Sequence, residues 1–294
     1  MILQRLASGN TLPVLTIVGC IIALWYVMAV VLNAPWAYDQ AGRQDVTLGF
    51  SDLVAATWSQ DRPRLPAPHQ VTAELWRTTV EVAPTSRRSL FHHAWITLSA
   101  TLLGFAMGTV LGILLAVAIV HNRAMDASVM PWVIASQTIP ILAIAPMIIV
   151  VLASIGLTGL LPKAVISMYL SFFPVVVGMV KGLRSPDRIL LDQMHTWNAS
   201  DRQSFFKLRW PAALPYLFAS LKIAVAASLV GAIIGELPTG AVAGLGARML
   251  SGSYYGQTVQ IWSALVMASI LAGGLVGLVG LAERVTGRLM GARP

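Results

Sequence analysis

Charged residues are scarce in this chain. Asp, Glu, Lys and Arg make up 11% of its 294 residues, whereas hydrophobic residues make up 56%. A soluble domain carries roughly a quarter charged residues, so this sequence could not cover a water-facing surface. The mean hydropathy of +0.74 agrees with that conclusion. The composition excludes an ordinary soluble globular protein and indicates a membrane protein.

Cysteine and the common nucleotide-binding and catalytic motifs are also missing. Cys20 is the only cysteine, so there is neither a disulfide framework nor a Cys-x-x-Cys site. No Gly-x-x-x-x-Gly-Lys-Ser/Thr occurs, and we expect the chain not to hold ATP phosphates itself. No Gly-x-Ser-x-Gly or His-Glu-x-x-His occurs either. His92 and His93 have no carboxylate or cysteine at ligand spacing. We predict no catalytic residue, no metal site and no cofactor in this chain.

Long apolar runs are what the sequence has instead. About 20 apolar residues in a helix cross a hydrocarbon core, and backbone groups in lipid must bond within the segment. We therefore predict an all-α membrane protein with six transmembrane helices. The first run is too long for a signal peptide and is expected to be retained. The six runs are Val14–Leu32, Ala94–Val120, Ala127–Ala153, Leu160–Val180, Ala212–Gly235 and Thr258–Ala282.

The net charge of +8 is concentrated on one side of this six-span scheme. The two tails and the loops after the second and fourth spans carry the basic excess, whereas residues 33–93 hold equal numbers of arginines and acids. By the positive-inside bias, both termini are expected in the cytoplasm and segment 33–93 outside, across a bacterial inner membrane. This distribution indicates a lipid bilayer, and no nucleic acid, as the partner of the basic residues.

The stretch between the fourth and fifth runs is polar, basic and patterned like a helix. Residues 192–211 read DQMHTWNASDRQSFFKLRWP. We predict one short helix with Asp192 and Ser200 as caps, ended by Pro211. Large aromatic residues tend to anchor protein interfaces, so we expect a partner to cover this stretch. The aromatic residues are Trp197, Phe205 and Phe206, with Arg202, Lys207 and Arg209 at the rim. The alternative is a solvated connector whose aromatic side chains rest on lipid headgroups.

This stretch resembles the cytoplasmic EAA loop of binding-protein-dependent ABC import permeases. That loop carries Glu-Ala-Ala, a glycine four residues after the second alanine, and Leu-Pro near its end. Here Asp192, Gln193 and Met194 take the Glu-Ala-Ala places and Asn198 takes the glycine place. Leu208 takes the apolar place and Trp210-Pro211 the Leu-Pro place. The resemblance implies that residues 183–211, the coupling loop, dock on an ATPase.

The third run contains two prolines, Pro140 and Pro146. Each proline removes a helical donor, and irregular backbone at membrane depth is tolerated only against protein or a watery cavity. We predict that Gln137, Thr138, Pro140, Ala143 and Pro146 line a translocation pathway. The alternative is a kinked packing helix. The same permeases carry a Pro-x-x-Ala-x-x-Pro run followed by glycine here, as in Pro140 to Gly156.

Glu236 ends the fifth run, and an ionisable residue at a membrane boundary is a functional candidate. We predict that it lies near the outer mouth of the pathway; the alternative is a solvated residue at a helix end. Four-residue glycine spacing predicts close helix packing in three spans. These glycines are Gly104, Gly108 and Gly112, then Gly231 and Gly235, then Gly273 and Gly277.

The outer segment 33–93 is rich in proline. Leu65-Pro66-Ala67-Pro68 resembles the Leu-Pro-x-Pro string of nitrate-, sulfonate- and taurine-type permeases; the alternative is an ordinary proline-rich loop. We predict an interfacial helix over Val71–Val80, with Val71, Leu75 and Trp76 against lipid. We divide the chain into residues 1–93 and a permease core, residues 94–290, which includes the coupling loop.

The resemblance runs from about Leu65 to Arg284 and implies a type I ABC importer permease. Such a subunit is not an enzyme; it works with a second copy, two ATP-binding subunits that hold ATP and Mg²⁺, and an extracytoplasmic solute-binding protein. The family implies small organic or oxyanionic solutes, including pyrimidine and riboflavin precursors. The alternative is a secondary transporter or channel without an ATPase. Such carriers usually show inverted repeats and intramembrane acids. A membrane-embedded enzyme is a more distant third.

Overall fold

The computed structural model describes residues 11–238 and 243–291 and contains only helices there. The chain divides into two compact units. The N-terminal unit comprises the residues up to Phe91 together with Arg248–Val266, and the second comprises His92–Ala247 and the residues from Met267 onward. The sequence divided the chain at residue 93, whereas the structure also groups residues 248–266 with the N-terminal part.

Twelve α-helices and two π-helical turns are present in the described part of the chain. The first helices are α1 (Thr11–Arg43), α2 (Phe50–Trp58), α3 (Pro68–Trp76), α4 (Leu90–His121), α5 (Arg123–Ser136) and α6 (Ile141–Ser154). They are followed by α7 (Leu160–Leu183), α8 (Arg188–Thr196), α9 (Asp201–Ser204), α10 (Trp210–Glu236), α11 (Leu245–Tyr254) and α12 (Thr258–Leu289). The π-helical turns are Arg77–Glu81 and Phe205–Arg209.

Among the described residues, five unbroken helical stretches are long and apolar enough to cross a membrane: α1, α4, α7, the run Asp201–Glu236 and α12. The predicted third span differs. It is broken into α5 and α6, which are bent by 101°, so the pair forms either one broken span or a re-entrant loop. The break falls where Pro140, with its fixed backbone angle and missing N–H, begins α6. The expected third span over Ala127–Ala153 is therefore not one continuous helix, and the kinked packing helix, which was the alternative, does not describe it either.

In the N-terminal unit, buried polar side chains hold the proline-rich segment. Asn33 in α1 donates to the Leu65 carbonyl at 2.9 Å and accepts from the Arg64 amide at 2.8 Å. The Trp25 indole donates to the Pro66 carbonyl at 2.9 Å. Pro68 then begins α3, where its missing N–H is not needed. The Leu-Pro-x-Pro string thus leads from a segment bonded to α1 into the first residue of α3.

The predicted interfacial helix is shorter than expected and is placed differently. α3 ends at Trp76, and a π-helical turn continues to Glu81. Trp76 is exposed, as expected, but Val71 is only 2% exposed. Val71 is therefore packed inside the unit and does not face lipid. The sequence could not reveal this, because the side chains that hold the proline-rich segment lie on α1, more than 30 residues earlier in the chain.

In the second unit, the glycines of α4 allow it to approach α7 closely. A Cβ added to Gly104 or Gly108 would collide with Ser167 or Ser171, and one on Gly112 would lie 2.7 Å from the Val175 Cβ. Gly231 in α10 faces Ser167 in the same way. These predictions are confirmed. A Cβ added to Gly273 or Gly277 in α12 would have no atom of the described chain within 4 Å, so these two glycines do not pack closely against another described helix of the same chain.

Candidate functional site

The coupling loop is helical, but it is not one helix. α8 begins at Asp187, whose side chain accepts from the Arg188 amide at 3.0 Å. Asp192 lies inside α8, and its carbonyl accepts from the Thr196 hydroxyl at 2.9 Å. The prediction that Asp192 caps a helix is therefore wrong. The cap is the acid five residues earlier, where free amides need an acceptor.

Asn198 ends α8 in a left-handed conformation, with φ of 54°. The Asn198 amide bonds the His195 carbonyl at 2.9 Å, and the Ala199 amide bonds the Met194 carbonyl at 3.0 Å. This pair of bonds is the Schellman motif, which requires a residue that tolerates positive φ and usually has glycine. Asparagine is the next most tolerant residue. The spacing of the resemblance, with Asn198 in the glycine place, therefore has a physical basis.

Ser200 begins the next helix, as predicted. Its hydroxyl accepts from the Gln203 amide at 3.3 Å, and the Gln203 side chain accepts from the Ser200 amide at 2.9 Å. This reciprocal arrangement is a capping box. The helical path then continues from Asp201 through the π-helical turn into α10, as far as Glu236. Pro211 lies in the first turn of α10, so it does not end the segment.

Apolar side chains of the coupling loop are exposed to solvent. Trp197 is 67% exposed and Phe206 is 58% exposed. Ile189 and Leu190 are also exposed, and sequence reasoning missed them although they lie one helical turn before Met194. A cavity of about 470 Å³ is lined in part by Leu190, Met194, Trp197, Gln203 and Leu208. The arrangement can receive an apolar partner surface.

Phe205 is placed differently from its neighbours. Its ring lies 5.1 Å from the ring of His121 and 6.0 Å from that of Trp210, and it packs on the core of α4, α7 and α10. It is thus half-buried within the chain, and the expectation that it anchors a partner is not supported. Arg202 lies 6.0 Å from the Phe206 ring, within cation–π range. Arg209 donates to the Leu183 carbonyl at 3.2 Å and ties the loop to α7.

The predicted pathway residues lie at the break between α5 and α6. Thr138, Pro140, Ala143 and Pro146 are exposed, and Gln137 is half-exposed. The Tyr169 hydroxyl of α7 donates to the Ser136 carbonyl at this break. α7 thereby satisfies one carbonyl that the broken helix leaves without an internal partner. The role of the five predicted residues in a translocation pathway stays a prediction.

Glu236 lies away from solvent, with no exposed surface. Its carboxylate accepts from the Thr97 hydroxyl at 2.9 Å and from the Gly246 amide at 2.8 Å. The Lys163 ammonium lies 3.8 Å away. His93, in turn, accepts from the Gly244 amide at 3.0 Å. In this conformation Glu236 therefore joins α4, α7 and the start of α11, and it is not the solvated residue of the alternative; its place near the outer mouth of a pathway stays a prediction.

The described residues hold no group of three or more His, Cys, Asp or Glu side chains that could bind a metal ion. Besides Lys163 and Glu236, two more ion pairs join described parts of the second unit. Arg184 lies 2.8 Å from Asp126, and Lys222 lies 2.5 Å from Glu283 on α12. Lys222 therefore pairs within the protein, so its charge does not lie unpaired in the membrane.

Comparison with known proteins identifies the family. The family described as "Binding-protein-dependent transport system inner membrane component" matches residues 108–289. The chain belongs to this family. It is therefore a multi-pass permease subunit of an inner-membrane ABC importer. This membership decides against the secondary transporter or channel that the sequence had left open.

Two relatives illustrate the likeness. The chain is 33% identical over 221 residues to the formylaminopyrimidine transport permease ThiX of Halalkalibacterium halodurans, with 74% of this chain and 80% of the relative covered. It is 31% identical over 221 residues to the riboflavin transport permease RibX of Chloroflexus aurantiacus, with 75% and 78% covered. A chain of the MetNI methionine ABC transporter, solved in inward-facing conformations, matches with a TM-score of 0.51 at 20% identity, covering 74% of this chain and 96% of that one. The permease thus shares this fold.

Proposed function

We propose that two copies of this permease form the membrane pore of an importer driven by two separate ATP-binding subunits. The observation that carries the proposal is the coupling loop, which presents exposed apolar side chains between two membrane-spanning helices. A solvated connector would not gain from exposing Trp197 and Ile189, because apolar surface in water is unfavourable. The permease itself binds no nucleotide and performs no catalysis; ATP and Mg²⁺ belong to the partner subunits.

The coupling step follows from the connection of the loop to the membrane. α8 offers Leu190, Met194 and Trp197 to a groove of the ATP-binding subunit, and Arg202 and Lys207 lie beside them. The helical run from Asp201 to Glu236 is continuous, so a displacement of the loop moves the fifth span. Because Arg209 bonds the Leu183 carbonyl, the end of α7 moves with it. ATP binding and hydrolysis by the partner would thereby change the shape of the pore.

The pore faces an external solute-binding protein. The basic excess of the tails and of two loops supports cytoplasmic termini, which leaves the proline-rich N-terminal segment outside. Closed two-fold pairing is the commonest oligomer symmetry, and the exposed apolar side chains of α6 give a second copy a surface to cover. The two relatives described above are named for formylaminopyrimidine and riboflavin, and two further relatives are named for aliphatic sulfonates and nitrate. We infer a small solute of one of these kinds.

The translocation route follows the break between α5 and α6. Residues 137–140 between α5 and α6 are not helical, and Gln137 and Thr138 add polar side chains there. Cysteines at Gln137, Thr138 or Ala143 should react with small aqueous thiol reagents in at least one transport state, whereas a cysteine at Ala145, which is buried, should stay protected. Protection of all four positions in apo, ATP-bound and post-hydrolysis states would rule out a watery lining.

Reconstitution tests the whole proposal. The permease, co-expressed with the ATP-binding subunits that co-purify with it, is inserted into proteoliposomes and supplied with the solute-binding protein. We expect uptake of one solute from a panel of sulfonates, nitrate, pyrimidines and riboflavin, with uptake strictly dependent on internal ATP. Uptake by the permease alone, driven by an ion gradient, would contradict it.

A further inference from the structure

A polar cavity of about 840 Å³ lies within the N-terminal unit. Charged side chains from α3, the segments that flank it and α11 line this cavity. Four of them are arginines and two are acids, so the lining carries two more positive than negative charges. They are Arg62, Arg77, Arg88, Arg248, Asp61 and Glu74. None of these side chains belongs to the coupling loop or to the broken third span.

Glu74 is already compensated by two of the arginines. Its Oε2 lies 2.5 Å from the Arg77 Nη2, and its Oε1 lies 3.5 Å from the Arg248 Nη2. One carboxylate is thus shared by two guanidinium groups, which leaves positive charge in excess at this end of the cavity. An incoming anion would meet this excess and not a free carboxylate at Glu74.

Arg248 is the buried member of the set, with its side chain 11% exposed. One of its terminal nitrogens donates to the Arg88 carbonyl at 3.3 Å, but its Nε is buried and has no acceptor among the described residues. Burial lowers the pKa of the Arg248 guanidinium, Glu74 raises it, and Arg77 lowers it again. Because a buried donor without an acceptor is costly, an anion beside Nε would stabilise this arrangement.

Arg62 and Arg88 complete the set from the solvent-facing side. Both residues are exposed, and neither side chain forms an ion pair with a described residue. Guanidinium groups bind carboxylate, sulfonate and phosphate groups through paired hydrogen bonds. The cavity therefore has a buried donor, two available cations and room for a small organic molecule.

We propose that this cavity binds a small oxyanion, a molecule that carries a carboxylate, sulfonate or phosphate group, through Arg248, Arg62 and Arg88. Its position on the outer face rests on the proposed orientation of the permease, but the binding does not. The oxyanion has two possible sources, a free solute or the phosphate of a lipid headgroup. The chemistry of recognition is the same for both.

The test measures saturable binding of radiolabelled inorganic phosphate and methanesulfonate to the purified full-length permease by equilibrium dialysis, in neutral detergent at constant ionic strength. Arg62→Gln and Arg88→Gln should each weaken binding about tenfold, the value of one charged hydrogen bond. Arg64→Gln removes the same charge two residues from Arg62 but outside the cavity lining, and it should bind like the parent. Asp61→Asn removes a like charge facing the anion and should bind more tightly. Thermal unfolding identical to that of the parent verifies that the variants are folded.

The outcomes separate the sources and can overturn the site. If Arg62→Gln and Arg88→Gln lose free-anion binding while Arg64→Gln keeps it, the ligand of the cavity is a soluble oxyanion. If the parent binds the free anions only after delipidation, and both variants retain less phospholipid, the site holds a headgroup phosphate. Absence of saturable binding before and after delipidation, or equal weakening by Arg64→Gln, overturns the proposal. So does a result in which the variants bind both anions normally but lose capture of the purified solute-binding protein. None of these outcomes depends on ATP-driven uptake, so failure here leaves the proposed transport function standing.

Discussion

Thr97 in the second span and Glu236 at the end of the fifth lie 139 residues apart in the sequence and are joined by a hydrogen bond of 2.9 Å. The same Thr97 hydroxyl accepts from the Leu245 amide at 2.9 Å. One hydroxyl therefore connects α4 with the end of α10 and the start of α11. Glu236 is fully buried, so its partners determine whether its burial is tolerated.

Thr97→Val keeps the shape of the side chain and removes this hydroxyl. The Glu236 carboxylate loses one donor and the Leu245 amide loses its acceptor, so the free energy of unfolding should fall by about 1–3 kcal/mol. Thr109→Val is the matched control, because the Thr109 hydroxyl lies in the same helix and is buried without a partner among the described residues. Thermal unfolding in detergent compares the two. Equal losses of stability in Thr97→Val and Thr109→Val would show that the hydrogen bond to Glu236 does not contribute to stability.

Gly108→Ala adds a methyl group where α4 meets α7. The new Cβ would collide with the Ser171 hydroxyl and lie 3.1 Å from the Met168 carbonyl, and overpacking of this kind costs about 1–3 kcal/mol. Gly273→Ala in α12 has no described atom within 4 Å of the new Cβ, and it should unfold at the parent temperature or above. A variant pair with the same unfolding temperature would argue against the close approach of α4 and α7.

Asn198→Gly should be neutral or slightly stabilising, because glycine adopts positive φ without strain. Asn198→Val forces a branched side chain into the left-handed region and should destabilise the end of α8 by about 1–2 kcal/mol. Since the coupling loop is outside the membrane core, the change should appear as faster proteolysis of the loop more than as a lower global unfolding temperature. Equal proteolysis rates in the two variants would count against the Schellman motif at this position.

Trp197→Ala and Phe205→Ala should separate partner binding from folding. Trp197 is exposed, so its loss should leave thermal stability unchanged while ATPase association and ATP-driven uptake fall together. Phe205 packs against His121 and Trp210, so Phe205→Ala should lower the free energy of unfolding. A fully buried ring is worth about 3–5 kcal/mol, and the loss should be smaller here because Phe205 is half-buried. Full ATPase association and full uptake in Trp197→Ala would mean that α8 is not the docking element.

The spans were predictable because hydropathy is a local property. Each apolar run contains enough information to define a helix in lipid, and five of them were found as unbroken helical stretches. The proline pair also indicated a disturbance in the third span, but whether prolines kink a helix or break it depends on what receives the freed carbonyls. Here Tyr169 of a different helix receives one of them, and no local pattern contains that fact.

In the coupling loop, too, some features are set by the local sequence and others are not. Its capping oxygen at Ser200 was legible, because a serine followed by glutamine three residues later is a local signature. The helix end at Asn198 was indicated only by the resemblance, in which Asn198 takes the glycine place, since an asparagine by itself does not fix a left-handed conformation. The burial of Glu236 could not be predicted for a third reason. Its burial is decided by Thr97, Lys163 and Gly246, which are distant in the chain, and a terminal acid looks exposed when the helix is considered alone.

The length of the run from Asp201 to Glu236 has a mechanical consequence. At 1.5 Å per residue, its 36 residues span about 54 Å, almost twice the roughly 30 Å of a hydrocarbon core. If the buried contacts of Glu236 fix that end of the run, the run behaves as a lever with its fulcrum near Glu236. A tilt of about 10° would then carry the tip at Asp201 sideways by about 9 Å, so a small rotation at the Glu236 end corresponds to a long displacement of the coupling loop.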